Sequence, residues 1–269
     1  MSSVLSMWTN KKPIHISNGG VQSDLTLTRS STQLKIGSTT LKTSDFVDGV
    51  IPVYVGFLVV GSGAGGGCSS GTSGNGTGGS GGGAVFGILN IETNSSLKLH
   101  YGAGGYGGYR NTNVSDSDGK RYRGGFGEVS YVCPSNKTSL SARIFSGGGG
   151  SPGNTSEYSE NSTSAGQPSY TTAVIMPQTQ RGGMGGGKGK AGGGTPAITF
   201  KMTAATLNAK APNASGRLDM TCPAQSGGTS GNSATGGGGA SILGAGGNGG
   251  KTAENGKDGG TAAGGGGGR

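Results

Sequence analysis

Residues 57–67 read FLVVGSGAGGG, an apolar β-type run that passes directly into glycine. The same join recurs at Leu97–Gly105 (LKLHYGAGG), at Leu140–Gly150 (LSARIFSGGGG) and, more loosely, at Arg217–Gly228 (RLDMTCPAQSGG). Taken alone, Gly61, Gly63 and Gly66 spell G-x-G-x-x-G behind a strand, and Glu92 closes the next apolar run, AVFGILNIE. That pattern is a dinucleotide-binding fingerprint on paper. The fingerprint needs a helix after the glycines, because the helix N-terminus receives the pyrophosphate. Residues 67–83 read GCSSGTSGNGTGGSGGG instead, more than half glycine and without an apolar stripe. Each glycine in a helix costs about 1 kcal/mol relative to alanine, so no helix forms and the nucleotide reading fails. The recurrence makes the glycine tract a structural element used several times.

Composition agrees. Glycine supplies 64 of the 269 residues, far above ordinary usage, while hydrophobic residues are 30% and aromatics 6%. These values also suit a disordered chain, but the glycines are clustered and well-formed strand patterns lie between the clusters. The net charge of +9 is dispersed, with only Lys11-Lys12 and Lys120–Arg123 as small clusters, and reads as a solvated basic surface. Three cysteines imply no disulfide framework and match no zinc spacing. Cys133 and Cys222 each precede a proline at a strand end, which suggests equivalent places in a repeat and buried free thiols. No run approaches secretory or transmembrane length. The expectation is synthesis in a cytoplasm, no membrane insertion, and export, if any, without a signal peptide.

In chain order, residues 1–50 have ordinary composition and read as short strands (DLTLT, QLKIG) with turns at Asn18-Gly19 and Gly37-Ser38. They are expected to form a small β-rich attachment segment, with Met7, Trp8 and Ile14 as its anchoring apolar cluster. Residues 51–269 form the second expected unit, in which strands run into glycine, a loop follows, and glycine runs back into a strand. Strands alternating in direction predict antiparallel hairpins, almost no α-helix, and glycine tracts continuing side by side beyond one end of the sheets. Three tracts show triplets: AGG-YGG (103–108), RGG-MGG (181–186) and AGG-NGG (245–250). A polyproline-II-type helix has three residues per turn and no internal hydrogen bonds. In x-G-G triplets every x falls on one edge, and the bare faces can pack backbone to backbone, each N–H and C=O finding a partner on a neighbour. Tracts such as Gly264–Gly268 suit the interior of such a lattice, and triplet-bearing tracts suit its edge. Collagen is excluded by nine prolines and no long register.

With GSGAGGG (61–67), GAGGYGG (102–108), SGGGG (146–150), RGGMGGGKG (181–189) and GGGGASILGAGGNGG (236–250) in view, residues 57–269 resemble the glycine-rich tip adhesins of tailed-phage long tail fibres. The resemblance implies a sandwich of packed polyglycine-II helices, distal loops that bind a host outer-surface protein or glycan receptor, and an N-terminal segment that attaches to a tail-fibre or other tail protein. It places the chain in a virion. The β hairpins between tracts depart from that family.

Two loops carry residue types enriched at recognition surfaces. One holds Tyr106, Tyr109, Arg110, Arg121, Tyr122 and Arg123. The other, spanning 151–181 and its exit, holds Tyr158, Tyr170, Met176, Arg181 and Met184. These are the receptor-binding candidates. Catalysis has no support: His15 and His100 lie in strand patterns, and no nucleophile–base arrangement is present. Asp116, Asp118 and Glu128 lack the remaining ligands of a calcium loop, so neither metal nor cofactor is expected. A purely structural tail subunit is the alternative. An ice-binding bundle would need regularly spaced Thr, and a nucleic-acid binder would need repeated RGG with interleaved aromatics; neither pattern occurs.

Overall fold

A computed structural model describes residues 22–45, 49–51, 53–68, 76–108, 123–137, 139, 141–153, 163–200, 220–251 and 254–268, and the backbone of 4–9, 12–17, 140, 201–202 and 218–219. Among the described residues fourteen strands carry the fold: β1 (Val4–Thr9), β2 (Lys12–Ser17), β3 (Ser23–Arg29), β4 (Gln33–Ile36), β5 (Thr39–Lys42), β6 (Tyr54–Val60), β7 (Ala84–Asn90), β8 (Ser96–Tyr101), β9 (Ser130–Pro134), β10 (Phe145–Gly147), β11 (Ser169–Tyr170), β12 (Ile175–Gln180), β13 (Ile198–Met202) and β14 (Leu218–Cys222). The only helical turns among the described residues are 3-10 turns at Thr43–Asp45 and Leu140–Ala142. All strand pairs are antiparallel. They form a five-stranded sheet in the order β12-β7-β6-β1-β2, a seven-stranded sheet in the order β11-β10-β9-β8-β3-β4-β5, and the β13-β14 hairpin.

The apolar periodicities decide how these layers stack. In β8, Leu97, Leu99 and Tyr101 are buried while Lys98 and His100 lie on the outer face, the alternation of a sheet covered on one side. In β6 every residue after Tyr54 is buried: Val55, Phe57 and Val59 join a core shared with Leu27, Leu99, Val132 and Phe145, while Leu58 and Val60 join a second core with Phe86, Phe200, Cys222 and Ile242. The five-stranded sheet is therefore the middle layer, covered by the other sheet on one face and by β13-β14 on the other. This is why FLVV and AVFGIL are continuous apolar runs. Phe57–Phe145 (ring centroids 5.5 Å) ties the first pair of layers, and Phe86–Phe200 (5.2 Å) the second. The two units expected on either side of residue 50 share their sheets, since β1 pairs with β6 and β3 with β8. Met7 lies opposite Ile14 and Phe57, and Trp8 opposite Pro13 and Gly56; their side chains lie outside the described residues.

Beyond the strands, the glycine segments hydrogen-bond to one another with a three-residue period. In segment 61–67, Gly61, Ala64 and Gly67 donate to the carbonyls of Gly83, Ser80 and Thr77, and Ser62 and Gly65 donate to those of Glu128 and Gly125. The carbonyls of Ser62 and Gly65 accept from Gly150 and Gly153, those of Gly63 and Gly66 from Gly105 and Gly108, and those of Ala64 and Gly67 from Gly265 and Gly268. Segment 76–83 is bonded in the same rhythm to 61–67, 148–151, 183–186, 236–239 and 262–265, and all of it is buried. The bonds continue the strand registers without slippage: Val60 lies opposite Ala84, and Gly61 bonds Gly83 next. His100 lies opposite Tyr131, and Glu128 and Gly125 bond Ala103 and Tyr106 in the same register.

The packing leaves no room for side chains inside. A Cβ on Gly82 would lie 1.8 Å from the Gly61 carbonyl oxygen, and one on Gly78 2.0 Å from that of Gly237. Carbonyl oxygens occupy the places where side chains would project, a geometry that favours Cα–H···O contacts. The side chains of the triplets lie at the outer edge: Tyr106, Arg181, Met184, Ala245 and Asn248 are exposed, whereas Gly182, Gly183, Gly264 and Gly267 are buried. The few small polar residues within bond to backbone, as Ser62 Oγ does to Gly102 (2.7 Å) and Thr235 Oγ1 to Gly250 (2.8 Å). Cys68, Cys133 and Cys222 are all buried, and Cys133 and Cys222 are free thiols. Cys133 and Cys222 are not equivalent: Cys133 lies opposite Lys98 on a strand leaving the glycine segments, and Cys222 opposite Ile198 on one entering them.

Candidate binding face

The glycine-to-strand geometry brings Tyr106 and Arg123 to one corner. Segments 102–108 and 124–128 are the extensions of β8 and β9, joined by Glu128 N–H to Ala103 O (3.0 Å) and Gly125 N–H to Tyr106 O (2.7 Å). Tyr106 is 68% exposed, yet its ring is placed: Cδ1 and Cε1 lie 2.6 and 2.7 Å from where a Cβ on Gly125 would stand, so the ring lies across that glycine. Phe126, 65% exposed, and Arg123 stand three residues apart on the outer edge of the neighbouring segment. Glu128 Oε2 accepts the Ala103 N–H (2.9 Å). Tyr109, Arg110, Arg121, Tyr122, Asp116 and Asp118 lie outside the described residues, as does Tyr158.

The second candidate group does not share this corner. Arg181 and Met184 are exposed on segment 181–187, which bonds to 76–83; segment 102–108 bonds to 61–67, so those two inner segments separate the groups. Tyr170 and Met176 are not on a glycine-end loop at all. Tyr170 lies opposite Phe145 on β11, and Met176 is on β12, partly buried against the second core, with a positive φ of 52° at a bulge. The stretch 151–181, read as one loop, turns back to form these two strands.

Below the corner, on the outer face of the seven-stranded sheet, His100 stacks on Tyr131 (4.4 Å) and Arg143 covers the same ring (4.1 Å). Asp24 bonds His100 Nδ1 (2.6 Å) and lies 4.0 Å from Lys98 Nζ. This ladder joins three strands, and the buried Cys133 thiol lies beside it opposite Lys98, its pKa raised by burial. No cluster of His, Cys, Asp or Glu suited to a metal occurs among the described residues, and no helix among them is long and apolar enough to cross a membrane.

No family model, curated protein or solved structure matches this chain.

Phe126 escaped the sequence reading, although GGFGE sets an aromatic three residues after Arg123 within a glycine tract, the spacing that keeps side chains on one edge.

Proposed function

We propose that this chain is a tail or tail-fibre tip adhesin of a bacteriophage, and that its glycine segments are polyglycine-II helices packed as a rigid bundle that holds receptor-binding loops. The three-residue rhythm of the hydrogen bonds supports the helix reading. One observation carries the function: large aromatic and basic side chains stand exposed on a scaffold whose interior admits almost no side chain. Tyr106 and Phe126 keep most of their surface in solvent at the edge of such a lattice, and recognition loops on rigid scaffolds are a general arrangement. Attachment falls to the opposite end, where the strand turns lie and where Val50 and Val53 are 60% and 41% exposed beside Ile91. The strands of residues 1–50 then brace the sandwich as well as contributing to that end.

The test is a virion carrying a chain with residues 109–122 and 154–162 each replaced by a short Gly-Ser linker. A wider deletion of 151–181 would remove β11 and β12 and unfold the sandwich. The expected result is an unchanged melting temperature with adsorption to host cells lost. Unchanged adsorption by virions that incorporate the double replacement together with Tyr106→Ala refutes the adhesin and leaves a structural subunit.

A further inference from the structure

We propose that the seam between segments 102–108 and 124–128 is a carbohydrate-binding ledge. On it a neutral pyranose oligosaccharide stacks its C–H face on Tyr106 and turns hydroxyls to Glu128. The inference rests on the adhesin reading and names its ligand class.

Three features carry it. The Tyr106 ring lies against Gly125 beside the backbone bond that joins the two segments, and most of it is open to solvent as a platform. One step down the seam, Ala103 leaves a shallow floor, and the Glu128 carboxylate is tethered through Oε2 by the Ala103 N–H, which leaves Oε1 to accept from hydroxyls. Platform and carboxylate are three residues apart, roughly 9 Å of extended backbone, a disaccharide's length. Beside them, Phe126 offers a second exposed ring and Arg123 a donor fork on the next row.

The same features disfavour other ligands. Protein hot spots sit in desolvated pockets ringed by apolar contacts; here the floor is glycine and alanine backbone, with open space at Gly107. An anionic ligand would meet the Glu128 carboxylate. A ring face with a hydroxyl-accepting carboxylate along a flat seam matches a sugar, which is apolar on its faces and polar around its edge.

Saturation-transfer NMR of the full chain with glucose, galactose, mannose, rhamnose and N-acetylglucosamine tests this. Transfer to the ring protons of at least one sugar is expected. It falls about fivefold in Tyr106→Ala, the equivalent of one aromatic stacking contact, persists in Tyr106→Phe, and weakens in Glu128→Gln. No transfer to any sugar, or equal transfer in Tyr106→Ala, overturns the ledge. Binding of the labelled chain to host cells separates this from the adhesin reading. Binding abolished by periodate but not by protease supports the ledge, and the reverse assigns the receptor to protein and overturns the ledge alone. No binding to host cells overturns the adhesin.

Discussion

Gly238→Ala tests the packing most directly. Gly238 lies in segment 235–240, which is buried throughout. An added methyl would stand 2.0 Å from the Gly264 carbonyl oxygen, 2.6 Å from its carbon and 2.8 Å from the Gly265 oxygen, where ordinary contact begins at 3.4 Å. Every close neighbour is backbone, so no side chain can swing away; a segment must move by more than 1 Å. That movement breaks or strains three short bonds: Gly238 N–H to Gly247 (2.7 Å), Gly264 N–H to Gly239 (2.8 Å) and Gly247 N–H to Gly264 (2.9 Å). Overpacking costs about 1–3 kcal/mol, and each buried group left unmatched about 1–3 kcal/mol. At the middle of these ranges, with one or two groups left unmatched, the total is roughly 4–6 kcal/mol, comparable with the whole stability of many domains. At about 2–4 °C per kcal/mol for a chain of this size, melting by circular dichroism should fall by roughly 10–20 °C. Gly107→Ala is the control, because nothing lies within 4 Å of its Cβ position. It should stabilise by about 0.4–1 kcal/mol through the unfolded chain alone. A Gly238→Ala protein melting within about 3 °C of the parent, or a Gly107→Ala protein as damaged as Gly238→Ala, refutes backbone close packing as the reason for glycine here.

Three further outcomes follow from buried groups. Tyr101 is buried with no hydrogen-bond partner for its hydroxyl, and burial pushes its phenol well above the ordinary value of 10.0. The folded chain therefore holds that proton more tightly than the unfolded chain does, and stability falls as pH rises above about 10. Tyr101→Phe should gain about 1 kcal/mol at neutral pH and flatten the alkaline loss in urea titrations; destabilisation would show an unseen partner. Phe200→Ala removes a fully buried ring stacked on Phe86 and should cost about 3–5 kcal/mol. Hydrogen exchange should show β13-β14 losing protection before the sandwich, and uniform loss would contradict a separable outer layer. Burial raises the Cys133 and Cys222 thiols, so a thiol reagent at pH 8 should label neither until denaturant is added.

The joins between strand and glycine were legible because two signals coincide there, an apolar run and an abrupt loss of side chains. The edge placement of Tyr106, Arg181, Met184 and Asn248 followed from triplet spacing alone. What escaped was long-range pairing. β12, IMPQTQ, carries a proline and three polar residues and so looks like loop; it is tolerated as the sheet's edge strand, with a bulge between Ile175 and Gln178. That strand and β11 carry Met176 and Tyr170, which the sequence pattern assigns to a glycine-end loop. The proline after each of Cys133 and Cys222 likewise suggested equivalence, but strand direction, which local pattern does not encode, places them at opposite ends of the unit. Nor could pattern show that residues 1–50 complete both sheets, because a strand's partner is set by which edge is left open.

The strands also explain how so much glycine is ordered at all. Fixing glycine costs more backbone entropy than fixing any other residue, and isolated glycine segments have no side chains to choose a register. Here the hairpins choose it. The pair Val60–Ala84 hands its register to Gly61–Gly83, then Ala64–Ser80 and Gly67–Thr77. The pair Ile198–Cys222 likewise hands its register to Thr195–Gln225 and Gly192–Gly228. Segments from 235 onward have no strand to guide them and use the turns at Ser241–Gly244 and Gly260–Ala262 instead. Ile242 and Ala262 at those turns are buried in the second core, which fixes both turns against the same sheet. Apolar burial, the strong and non-directional force, thus sets the position of every pair. The three-residue hydrogen bonding then needs only to extend a register already fixed. On this logic the sheets stabilise the glycine segments, those segments fix the spacing of their outer side chains, and residues 109–122 and 154–162 should tolerate sequence change without disturbing either.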